Sequence, residues 1–123
     1  MSNAARRLVE IRSYALKPGR IEAFHRIFVE TVLSMLREAG IDVVAFGKSM
    51  HDDNAWYLIR AFDDFAHLNA QENGFYGSDA WKSGPRETII EAIDRYLDSL
   101  IWMSNKSIDE IRQENGANWR DWA

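Results

Sequence analysis

Across residues 8–16, Val9, Ile11 and Ser13 alternate with Glu10, Arg12 and Tyr14, the mark of a strand with two different faces. Lys17-Pro18-Gly19 ends it, because proline fixes φ and glycine relaxes the turn. From residue 20 to residue 39 the period becomes helical. Ile21, Phe24, Phe28, Val32, Met35 and Ala39 fall within one stripe of about 80° on a helical wheel, and Gly40 is placed to stop that helix.

The remaining chain continues the same alternation of periods. Residues 41–50 and 55–62 read as two further strands, joined by His51-Asp52-Asp53-Asn54, which has hairpin-turn composition. Asp63 begins a second helical region with Phe65, Ala66 and Leu68 on its apolar side. Residues 74–84 are loop-rich but carry Phe75, Tyr76 and Trp81, so a packed loop or short helix is expected. Gly84-Pro85 opens another helix, with Ile89, Ile93, Tyr96, Leu97 and Leu100 as its buried face. A short fourth strand is expected at 99–104, and Ser107-Ile108-Asp109-Glu110 has the form of a capping box. The order is β-α-β-β-α-β. This predicts an α+β, ferredoxin-like domain, with helices on one face of a four-stranded antiparallel sheet. Tyr14, Trp56, Leu58 and Phe62 lie on one strand parity, and Val9, Ile11, Ile59 and Ala61 on the other. Both faces are therefore apolar, so the face without helices calls for a second copy of the chain, as in a dimeric α/β barrel.

At 123 residues the chain suits one domain. Residues 1–7 read as a disordered start or an expression scar, 8–104 as the domain, and 105–123 as a helical tail ending in Trp119 and Trp122. A net charge of −4 argues against nucleic acid and anionic membrane as partners. No stretch has the roughly 20 apolar residues of a membrane span. The chain has no cysteine, which removes disulfides and thiolate chemistry and, with no signal-peptide pattern, points to the cytoplasm.

Val9-Glu10-Ile11-Arg12-Ser13-Tyr14-Ala15-Leu16-Lys17-Pro18-Gly19 resembles the opening of the NIPSNAP family, an E-x-R-x-Y strand followed by Lys-Pro-Gly and a long helix. Phe62-Asp63-Asp64-Phe65 is similar to the family's strand-to-helix junction. Phe75-Tyr76-Gly77-Ser78-Asp79-Ala80-Trp81 with Gly84-Pro85-Arg86-Glu87 resembles a segment of bacterial members. The resemblance spans about residues 8–103 and implies a dimeric α/β barrel, with little chemistry attached. The chain departs from the family pattern at Arg60, where tryptophan is usual, and at His67-Leu68, where an acid–arginine pair is usual.

Seven residues stand out as ligand-site candidates: Arg12, Tyr14, His25, Trp56, Arg60, Tyr76 and Trp81. Glu10, Arg12 and Tyr14 share a strand face, and Arg60 belongs to the same face of the third strand. A burying dimer would require those charges to be paired. They then form either an ionic network that fixes dimer register or an anion clamp for a carboxylate. His25 lies about 40° from the centre of the first helix's stripe, as a core residue or as a general base or haem ligand. His51 and His67 are expected on the surface. No metal-ligand spacing joins the histidines, so neither metal nor cofactor is expected. The aromatic residues serve packing or a flat pocket for an aromatic ligand. Three functions follow: a homodimer binding a small apolar or aromatic molecule or a protein partner; a cofactor-free monooxygenase-like or haem-using enzyme of the same fold; or an interaction module whose contact is the tail tryptophans.

Overall fold

The computed structural model describes residues 6–116. Trp119 and Trp122, the tail tryptophans read as the contact of an interaction module, lie outside the described residues. Four strands form one antiparallel sheet in the order β2-β3-β1-β4: β1 (Arg6–Leu16), β2 (Asp42–Lys48), β3 (Ala55–Phe62) and β4 (Ile93–Ser104). This is the ferredoxin-like arrangement.

The first crossover holds α1 (Ile21–Ile27), a π-helical stretch (Phe28–Val32) and α2 (Leu33–Glu38). In the π stretch the Leu33 N–H donates to the Phe28 carbonyl. The wider turn keeps residues four apart in line, so Phe24, Phe28, Val32 and Leu36 form one buried column. An unbroken 3.6-residue period predicted Met35 and Ala39 on that face. Instead Met35 is half-buried and Ala39 exposed. Gly40 closes α2 with φ +81°, and Ile41 N–H reaches back to the Leu36 carbonyl at 3.0 Å, a Schellman ending.

In the second crossover, α3 (Phe65–Tyr76) is capped by the Asp64 carboxylate, which accepts from His67 N–H. The segment expected to pack then supplies α4 (Asp79–Ser83) and leads to α5 (Arg86–Ala92). Here the structure corrects the reading. α5 stops at Ala92, and residues 93–104 are all strand, paired with β1 along almost its whole length. Tyr96, Leu97 and Leu100, expected on a helix face, are exposed strand residues. Their i, i+3, i+4 spacing mimics a helix because apolar residues occupy both parities of the strand.

The last element, α6 (Asn105–Asn115), begins at Ser104, whose hydroxyl accepts from Ser107 N–H. The cap therefore lies three residues before the predicted box. α6 crosses to the face of the sheet opposite the other helices. There Ile108 is buried with Val9, Val44, Ala45 and Ala61, and Asp42 holds the helix by accepting from Arg112 at 2.9 Å and from Arg7 at 2.7 Å. Part of the second face is thus covered by the chain itself, not left entirely to another copy. Among the described residues no helix is long and apolar enough to cross a membrane.

Candidate functional site

Even-numbered residues of β1 and β3 point toward α1–α5, because a strand alternates its side chains. Glu10 and Arg60 are direct cross-strand partners, and both are buried to within 1% exposure. Such burial is tolerable only with close pairing. Arg60 Nε donates to Glu10 Oε1 at 2.7 Å, Arg60 Nη2 lies 3.2 Å from Glu72, and Arg60 Nη1 donates to the Tyr76 hydroxyl at 2.8 Å. Arg12 makes a two-pronged pair with Asp98 of β4, at 2.7 and 3.0 Å. Its guanidinium lies 4.3 Å from the centre of the Tyr96 ring.

Burial works against both guanidinium charges, but Asp98 beside Arg12, and Tyr76 and Glu10 beside Arg60, more than offset it. Both arginines stay charged. The Tyr14 phenol is pushed up by burial and by Tyr76. Glu72 is pushed up to about 7, first by burial and then by its hydrogen bond to Glu10. Two arginines thus meet three carboxylates, and the third is the one that keeps its proton toward neutral pH. The shared face of Glu10, Arg12, Tyr14 and Arg60 is as expected, but the chain's own helices cover it. The network ties β1, β3, β4 and α3 of one chain. Both arginines are already paired with carboxylates of the chain, Arg12 with Asp98 and Arg60 with Glu10.

Beside this network a cavity of about 450 Å³ opens between sheet and helices. Phe24, Phe28, Val32 and Leu36 make one wall, Leu58 and Tyr14 the floor, and Ile89, Ile93 and Trp81 the far side. Arg12, Glu72, Asn73 and Tyr76 form its polar end, with Arg86 also on the lining and Tyr96 of β4 at the margin. Trp81 packs against Phe75 and Tyr76, with ring centres 5.4 and 5.2 Å apart.

Of the seven candidates, the structure brings Arg12, Tyr14, Tyr76 and Trp81 onto this cavity. Arg60 stands directly behind Tyr76. Trp56 and His25 lie one layer deeper. Trp56 backs Phe24 and Phe28, each about 5 Å away, and its Nε1 donates to His25 Nδ1 at 3.1 Å. An indole N–H can only donate, so His25 carries its neutral-form proton on Nε2. His51 is exposed, whereas His67 is half-buried and accepts the Asp63 N–H at the start of α3. The residues missed from sequence are Glu72, Asn73, Arg86 and Asp98. Glu72 did leave a signal: it sits four residues after Leu68 and three before Phe75, a carboxylate inside an apolar stripe.

No protein-family model matches the chain, and no curated protein matches it. Solved structures do. A NIPSNAP domain protein from Burkholderia xenovorans is 21% identical, with a TM-score of 0.68 over 76% of this chain and 91% of that one. A NIPSNAP family protein from Agrobacterium tumefaciens is 19% identical, with a TM-score of 0.74 over 81% and 90%. A Nitrosomonas europaea protein proposed to be an antibiotic biosynthesis monooxygenase is 15% identical, with a TM-score of 0.58 over 85% and 93%. The fold is NIPSNAP-like, as the opening motif implied.

Proposed function

We propose that this chain works as a homodimer that binds a small apolar or aromatic molecule in the cavity between its sheet and helices. The observation that carries the reading is the cavity itself. About 450 Å³ is the size range of small-molecule sites, and apolar walls with a few convergent polar groups are their usual composition. The homodimer rests on β4, whose Leu97, Trp102, Tyr96, Ile101 and Leu100 are all exposed. They form an apolar strip along a sheet edge that no described residue pairs with, of the kind that invites a partner.

Enzyme function on this scaffold is the second reading, supported by the name of the Nitrosomonas europaea neighbour. Haem does not fit it: His25 is packed between Phe46 and Trp56, and no histidine lines the cavity among the described residues. Solvent extraction of the natively purified protein, followed by mass spectrometry, tests the binding reading. The wild type is expected to release an apolar or aromatic compound in near-stoichiometric amount, and Leu58→Trp, which fills the floor, is expected to release little. If the two proteins release the same compounds in the same amounts, the cavity is not the binding site.

A further inference from the structure

The polar end of the cavity has a charge inventory that restricts its ligand. Around Glu72 stand Glu10, Arg12 and Tyr14 from β1 and Arg60 from β3. Tyr76 lies on the same helix, Arg86 comes from α5, and Tyr96 and Asp98 come from β4. Arg60 is matched by Glu10, and Arg12 by Asp98, so with Glu72 protonated the inner corner is neutral. With Glu72 ionised it carries one net negative charge. The one further arginine on the lining, Arg86, is nearly half exposed and lies 3.7 Å from Glu87, where solvent screens it. The corner therefore has no buried cation to spare for an anion.

Its hydrogen-bonding groups have a definite pattern. Tyr76 accepts from Arg60, which leaves its own hydroxyl proton for another acceptor. Glu72 can accept through its carboxylate, and the Asn73 amide offers both functions. A hydroxyl, which both donates and accepts, satisfies this set. A carboxylate could accept from Tyr76 and Asn73, but it brings a negative charge that no unmatched buried guanidinium offsets. We propose that the inner end of the cavity is a proton-exchanging subsite in which Glu72 takes the hydroxyl of an uncharged aromatic ligand, so that a phenol-type molecule binds and the matching carboxylate is rejected. The proposal rests on the cavity being the ligand site.

An ionised carboxylate holds a phenolic hydroxyl more strongly than a protonated one does. Binding therefore favours ionised Glu72 and releases a proton from it near its pKa of about 7. The test is isothermal titration calorimetry of the full chain with β-naphthol, β-naphthoate and naphthalene at about pH 6 and about pH 8, in two buffers of different ionisation heat. β-Naphthol is expected to bind at least about tenfold more tightly than β-naphthoate, since a corner whose buried guanidiniums are already matched disfavours an added negative charge. Its affinity should rise severalfold from the lower to the higher pH, with proton release near neutrality. Glu72→Gln should keep β-naphthol binding but lose both the rise and the proton release. Should that variant fail to fold, the wild-type proton release and the naphthol-to-naphthoate ratio decide alone. Naphthoate binding as tightly as naphthol, or proton release unchanged in a folded Glu72→Gln protein, overturns the subsite. If naphthalene binds while naphthol gains nothing over it, the subsite is wrong and the cavity reading stands. If none of the three binds, both fall.

Discussion

β3 and β4 flank the same central strand and each carries seven apolar residues, yet those residues end in opposite surroundings. Trp56, Leu58, Arg60 and Phe62 of β3 are each at most 2% exposed, closed in by helices on one side, with the other side half-buried. Among the described residues β4 has no strand on its outer edge, and between its ends it is open on both sides. Tyr96, Leu100 and Trp102 stand exposed toward the helix layer, and Leu97 and Ile101 on the face that α6 leaves uncovered. The difference teaches that composition alone does not decide burial. One strand is finished by its own chain, and the other has an interior strand's side chains without its cover. The cavity reaches from the first environment to the second, from Leu58 to Tyr96.

The largest expected effect lies on the finished strand. Arg60→Ala leaves Glu10 buried without its close partner, and removing one member of such a pair costs about 3–5 kcal/mol. Urea unfolding should show a midpoint lowered accordingly. A change below about 1 kcal/mol would mean that the Glu10–Arg60 pair does not anchor β3. On the unfinished strand, Leu97→Asp with Ile101→Asp should leave the far-ultraviolet circular dichroism of the subunit nearly intact. The dimer dissociation constant should rise by roughly 10–100-fold, as for loss of central apolar contacts. Severe unfolding instead would show that the two side chains belong to the subunit's own core.

The network between the two strands gives a smaller, pH-dependent effect. Folding raises the Glu72 pKa from about 4.5 to about 7, so the folded state binds more protons between those values, and stability falls as pH rises through that window. Glu72→Gln should flatten this slope and be the more stable form at pH 8 by of order 1 kcal/mol, discounted for solvent screening. Parallel slopes in the two proteins would count against the raised Glu72. Smallest is Asp42→Asn, which loosens α6 from β2. Burial acts against the Asp42 charge, but Arg112 and Arg7 together hold its pKa below the ordinary carboxylate value. Its contribution is therefore present at neutral pH and fades as pH falls through the folded-state pKa. The loss should be below about 1 kcal/mol at pH 7 and smaller near pH 3, read from thermal unfolding at the two values.

Local chemistry explains which parts were readable beforehand. β3 was legible to its ends because hairpin residues and Asp63-Asp64 bracket it, and the Glu10–Arg60 face followed from strand parity. Gly40 declared the end of α2 by its need for positive φ. The first helix was read with the wrong phase after Val32, because a π-helical turn has no sequence signature strong enough to shift a stripe. β4 was misassigned in part because two apolar parities imitate a helical period, and only the register with β1 decides between them. In the candidate site, Arg12, Tyr14, Tyr76 and Trp81 came from motif and aromatic content. Asp98 was hidden by the helical reading of its segment, and Glu72 by a stripe too weak to notice. Arg60, read from the sequence as a departure from the family pattern, is the cross-strand partner of Glu10.

The most direct measurement is sedimentation equilibrium of the wild-type protein at about 10 μM, a concentration at which a specific interface of ordinary affinity is occupied. The mass should be twice 14.2 kDa, because no described residue covers the apolar strip of β4 and a second copy would. A single species of 14.2 kDa at that concentration would contradict it.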